Sequence, residues 1–321
     1  MFAVRGIAVS LSIFFILYGA LSLTVCLVWR RVWAYGRHGA ARRSADGLFL
    51  LRMISLAVAT GVTLALAVPS FLLLEPRAVK EPVGIAAVLL AYCGVAVVAR
   101  GAWSAGWALV RASKTVERWS SQARVLNARP ENGERMVCVM RTSAAAPPLT
   151  ASGILRPTVW LSSAAEFVLT ERELRSALRH EVIHVRRRDN LRKLLMHFAA
   201  FPGMAQLETA WREATEMAAD DAAVSSASEA LDLAAAVIKL SRLAPLQPAA
   251  ELTTALVHSP AESVNARVER LIGWTEARQS AGSGYSWRYA VCAVLAVLAT
   301  LAVTYGSLLV QVHEASEWLV R

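Results

Sequence analysis

The chain has 321 residues, 56% of them hydrophobic and only 18% charged, with a formal charge of +10. A fully water-soluble protein of this length rarely has so apolar a composition, so membrane spans are expected. The arginines gather in residues 30–52 and 172–192, the first group flanking an apolar run. Positive charge placed there holds loops on the cytoplasmic side of a bilayer, and no nucleic-acid partner is expected. Of the four cysteines, Cys26, Cys93 and Cys292 lie in apolar runs and only Cys138 in the polar middle, which excludes a disulfide framework or a cysteine-based zinc site.

In chain order, residues 7–29 form an uncharged apolar run long enough to span a bilayer. It lacks the usual small-residue cleavage site, so a retained helix is expected rather than a signal peptide. An arginine-dense loop through Arg52 follows. Residues 54–74 make the second span, with Pro69 near its far end, and residues 75–82 a short turn. The third span covers about 83–104 and can run on to Val110. Residues 289–312 make a fourth. With the arginine-rich loop cytoplasmic, both termini and the short turn fall outside and residues 111–286 fall inside. The scheme is three spans in residues 1–110, a soluble domain in 111–286, and a last span with a short external tail in 287–321.

Within the soluble part, residues 112–126 read as a helix continuing the third span and 135–141 as a strand. Residues 144–149 read as a loop, and 153–161 as two short strands turning at Arg156-Pro157. Further helices are expected at 210–225, 231–243 and 263–271, with a flexible link at 280–284. The longest helix has a legible start: Thr170 as N-cap, Glu173 three residues on, and Leu169 with Leu174 as a hydrophobic staple. No helix breaker follows until Pro202-Gly203.

That helix carries His180-Glu181-Val182-Ile183-His184. Two imidazoles four residues apart project from one face and can reach a single ion, while the adjacent glutamate is placed to act on a water at the metal. This is the zinc-protease reading of H-E-x-x-H. A catalytic zinc takes three protein ligands, so a third is needed. His197 faces away at helical pitch, and His258 and His313 are poorly placed. A carboxylate is preferred, from 213–221 on the next helix. Glu216 is favoured over Glu213 because it has Asp220 one turn later, suited to bonding the free ring nitrogen of a zinc histidine. Glu213 has Met217 there. The competing view of this cluster is an acidic, solvated helix face. Asp189 is read as a partner of Arg186–Arg188, with support of the metal site as the alternative.

The run from His180 through Arg186-Arg187-Arg188-Asp189-Asn190, followed by Glu216-Met217-Ala218-Ala219-Asp220-Asp221, resembles the integral-membrane metallopeptidases of the BlaR/MecR type. The segment 153–161 resembles the strands before the metal helix in that family, and 266–271 is similar to its closing basic helix. The resemblance covers nearly the whole chain. It implies a mainly α membrane protein with four transmembrane helices and a cytoplasmic α+β gluzincin-like zinc protease domain between spans 3 and 4, in a bacterial cytoplasmic membrane. It also implies Zn2+ held by His180, His184 and Glu216, with Glu181 as the base. Its natural substrate would be a regulatory protein such as a transcriptional repressor, with the signal coming from a separate sensor protein. Antibiotic-sensing members carry a penicillin-binding domain after the last span, and this sequence closes at Arg321, so antibiotic sensing by this chain alone is not expected.

Two rival readings stand beside this one. Membrane zinc proteases of the CaaX-processing and quality-control type share H-E-x-x-H and a later Glu-x-x-x-Asp. A non-catalytic receptor stiffened by zinc would have no use for Glu181. Substrate binding as an added strand on the edge near residues 159–161 is expected by analogy with peptide recognition generally.

Overall fold

The computed structural model describes residues 2–36, 40–76, 83–121, 123–126, 137–143, 146–243, 252–255, 261–274 and 287–320. It is mostly helical, with one five-stranded sheet. The first helices are α1 (Phe2–Gly36), α2 (Ala41–Val62), a π-helical stretch over Thr63–Ala67, α3 (Val68–Leu74) and α4 (Ile85–Ser120). Among the described residues, three helices are long and apolar enough to cross a membrane: Phe2–Arg31, Ala41–Leu74 and Ile85–Ser120. The widened π turn sits just before Pro69, which has no N–H to give the helical ladder.

The arginine-dense stretch is not the loop expected from sequence. Arginine is a good helix former, and most of the stretch completes α1 or begins α2. Arg52 is fully buried within α2, where its Nη2 donates to the Ala199 carbonyl at 2.6 Å and its Nε to Glu208 Oε1 at 3.3 Å. The hydroxyl of Tyr18 on α1 donates to the same carbonyl at 2.7 Å. A Cβ at Gly101 on α4 would fall 2.2 Å from the Phe198 carbonyl oxygen, so only glycine permits that approach.

The helix expected over 112–126 stops at Ser120, and β1 (Ala123–Leu126) follows. The other strands are β2 (Cys138–Thr142), β3 (Leu149–Ser152), β4 (Thr158–Ser162) and β5 (Thr253–Ala255), in the order β1-β2-β4-β3-β5. Only the β2–β4 pair is parallel. β4 lies at the centre, and Val159, Trp160 and Leu161 are all buried, the uninterrupted apolar run of a strand covered on both faces. An added strand at 159–161 is therefore ruled out, because β2 and β3 already occupy both edges of β4. The β3–β4 turn depends on Gly153, at φ +90°, where a Cβ would meet the Arg156 carbonyl oxygen at 2.7 Å.

The remaining helices are α5 (Ser163–Val168), α6 (Glu171–Arg187), α7 (Asp189–Phe198), α8 (Ala205–Ala223), α9 (Ala227–Leu243), α10 (Ala261–Ile272) and α11 (Trp287–Val320). The expected fourth span falls within α11. The expected link at 280–284 and His258 lie outside the described residues. One apolar core joins the sheet to the helices through Val139, Leu149, Val159 and Leu161 against Ala177, Leu233 and Val237. A second joins the spans to α7 and α8, through Val25, Trp29 and Leu48 against Met196, Leu207 and Trp211.

Candidate metal centre

α6 begins as the sequence specifies. Thr170 Oγ1 accepts from the Glu173 N–H, and the Glu173 carboxylate accepts from the Thr170 N–H at 2.8 Å. Burial alone would raise the Glu173 carboxyl, but the Lys239 ammonium at 2.8 Å and the Thr170 N–H hold it below its ordinary value. The helix so fixed packs against α8, α9 and β3 and carries His180, Glu181 and His184 into the interior, none of them more than 2% exposed.

The helix does not continue to Pro202. It ends at Arg187, and Arg188 takes a left-handed conformation, φ 55° and ψ 42°, before α7 starts at Asp189. In an unbroken helix Asp189 would stand roughly 140° around the axis from His184. The break instead folds its carboxylate back, and Oδ2 lies 2.7 Å from His184 Nδ1 with the side chain fully buried. Asp189 thus supports the imidazole pair, contrary to the sequence preference for a purely arginine-pairing role, although Arg187 Nε does lie 3.7 Å from its other oxygen. Asn190 Nδ2 donates to the carbonyls of Ala151 and Gly153, both at 3.3 Å, which ties the new helix to the end of β3.

From α8, Glu216 places Oε2 3.4 Å from His180 Nε2 and Oε1 3.5 Å from His184 Nε2. Asp220, one turn on, has Oδ1 2.9 Å from His180 Nδ1. Among the described residues, His180, His184 and Glu216 form a group whose donor atoms could hold one metal ion; His197 is not part of it. Sequence reasoning missed Arg267 on α10. Buried to 1% exposure, it donates from Nε and Nη2 to the two oxygens of Asp220, at 2.8 and 2.7 Å, and Nη1 lies 3.1 Å from Glu216 Oε2. An arginine in an otherwise amphipathic basic helix gave no local sign of being buried.

A cation fits this donor set. With a carboxylate against each Nδ1, the ring protons belong there, and the two Nε2 atoms present lone pairs. Those Nε2 atoms stand 3.0 Å apart, with both Glu216 oxygens facing them. Acceptors held this close repel one another unless a positive charge joins them, either a proton on an imidazole or a metal ion in its place. The surroundings lean the same way. Burial opposes charge on His184, yet the carboxylates of Glu216 and Asp189 raise it to about 10. Burial likewise opposes charge on Asp220, but Arg267 holds it at about 2.

Glu181 differs from its neighbours. Its side chain is fully buried, and neither carboxylate oxygen has a hydrogen-bond partner among the described residues. Burial pushes this carboxyl up to about 7, against the pull of the two imidazoles. A carboxylate poised there can accept and return a proton near neutral pH. Lys193, on α7, donates to the Thr253 carbonyl of β5 at 2.7 Å, and burial brings its ammonium down to about 8.

No curated protein matches the chain. The sequence model of the BlaR1 peptidase M56 family matches residues 54–271, from the second span through α10, and so includes every residue of the cluster described above. The match extends over more than half of the protein, and with its three apolar helices the chain belongs to the BlaR1 peptidase M56 family, a family of membrane metallopeptidases.

Proposed function

We propose that this protein is an integral-membrane, zinc-dependent endopeptidase that cuts a cytoplasmic or membrane-proximal regulatory protein, such as a transcriptional repressor. The observation that carries the reading is the meeting of two imidazole Nε2 atoms and the Glu216 carboxylate beside a buried glutamate with no hydrogen-bond partner among the described residues. His180, His184 and Glu216 would hold the zinc, which when bound supplies Lewis acidity toward a peptide carbonyl and acidifies a water. Glu181 accepts the proton of the attacking water and returns it to the leaving nitrogen. Asp220 and Asp189 orient the two rings from their Nδ1 sides, and Arg267 fixes Asp220 by a two-pronged contact.

In this reading α11 is a fourth span, residues 111–286 face the cytoplasm of a bacterial cell, and both termini lie outside. The arginines at the end of α1 and the start of α2 favour that orientation. A separate sensor protein would supply the trigger. The test compares the proteins cleaved in cells carrying the wild type and Glu181→Ala. A product seen only with the wild type is the expected result. Identical cleavage patterns under every growth condition would return the protein to the class of non-catalytic receptors.

A further inference from the structure

A second cluster of metal-binding side chains lies at the opposite end of the spans. Glu75 closes α3, while His313 and Glu317 sit one turn apart on α11, and the donor atoms of all three fall within 4.8 Å of one another. Asp46, near the start of α2, pairs with Arg187 and Arg192 beside the metal helix. Twenty-nine residues of helix separate it from Glu75, roughly 40 Å. Arg5, in the first turns of α1, places Nη1 3.0 Å from Glu75 Oε1. The cluster thus joins α1, α3 and α11 at the ends farthest from the candidate protease centre.

We propose that Glu75, His313 and Glu317 form a second site for a divalent transition-metal ion such as Zn2+. His313 Nε2 lies 3.9 Å from Glu75 Oε2 and 3.8 Å from Glu317 Oε1. Both distances are too long for hydrogen bonds, so the three side chains stand around a gap rather than clasping one another directly. Ligands about 2.1 Å from one tetrahedral ion stand about 3.4 Å apart, so small side-chain adjustments close these gaps. The Glu75 side chain is only 4% exposed and Arg5 takes its other oxygen, which leaves Oε2 toward His313. His313 Nδ1 is buried and has no hydrogen-bond partner among the described residues. One imidazole with two carboxylates selects zinc-like ions over calcium, which prefers oxygen alone.

Such an ion clasps α11 to α3 and, through Glu75, to Arg5 of α1. The test uses the purified full chain, Zn2+ alone as probe, and a His180→Ala/His184→Ala background that removes the protease centre from the count. That background chain is expected to keep one equivalent of zinc at micromolar free ion. Adding Glu317→Gln should weaken binding at least about tenfold, and adding His313→Ala should abolish it. Glu317 is 40% exposed, so its amide variant stays folded, and an unchanged gel-filtration profile verifies this. A background chain that holds no zinc overturns the site. So does bound zinc indifferent to both substitutions. Neither result bears on cleavage, which the wild-type chain reports separately.

Discussion

The two histidine–carboxylate clusters stand on different helices, one on α6 and α8 and the other on α3 and α11, and differ in their bracing. At the end of α6, each imidazole meets a buried carboxylate on its far nitrogen, Asp220 for His180 and Asp189 for His184, and Asp220 is itself gripped by Arg267. At the end of α11, His313 Nδ1 has no hydrogen-bond partner among the described residues, and Glu317 is partly in water. Rings whose orientation is already fixed bind metal without a further ordering cost, whereas an unbraced ring must give up its freedom on binding. The first arrangement suits a resident catalytic ion, and the second an ion that comes and goes.

The sharpest way to break the contrast is at Glu181. Glu181→Ala should leave bound zinc unchanged while lowering the cleavage rate by about two to four orders of magnitude, as single-turnover assays would show. Replacing Arg267 strikes the bracing at its root. Arg267→Met strands the buried Asp220 carboxylate without its guanidinium, and about 3–5 kcal/mol of stability should be lost in denaturant melts of the detergent-solubilised chain. Asp189→Asn keeps the shape of the brace but not its charge. Zinc competition with a chelating dye should show affinity falling about 10- to 100-fold, toward that of the looser cluster.

The smallest effect is expected at the start of α6. Glu173→Gln keeps the reach of the capping box but removes the negative charge that the Lys239 ammonium and the helix N-terminus favour, a loss of about 1 kcal/mol. Because the Glu173 carboxyl titrates lower in the folded chain than in the unfolded one, its contribution is present above about pH 4.3. It fades as the pH falls through the lower folded value. The wild type and the variant should therefore melt apart at neutral pH and converge in acid.

How much of this was legible in the sequence depended on how local each signal was. The Thr170–Glu173 capping box and the pairing of Glu216 with Asp220 on one helical face depend only on residues a turn apart, and the coordinates show both. The break at Arg188 was invisible, because an arginine in the left-handed region carries none of the glycine or proline cues that punctuate helices. The role of Asp189 was lost with it. Arg267 and Arg52 escaped because burial of a guanidinium is decided by partners far away in sequence, Asp220 and Glu208. β5 was missed for a related reason: three residues carry no periodicity, and only pairing with β3 makes them a strand.

The shared core between the spans and α8 has a practical corollary. Leu207 and Trp211 are fully buried, and what covers them is Val25 and Trp29 of α1 with Leu48 of α2. Excised as a water-soluble fragment, residues 111–286 would bare these side chains along with the Ala199 carbonyl that Arg52 and Tyr18 satisfy. The shortcut of expressing that piece alone is thus expected to yield an aggregating protein, and enzymology on it belongs in detergent or nanodiscs with α1 and α2 attached.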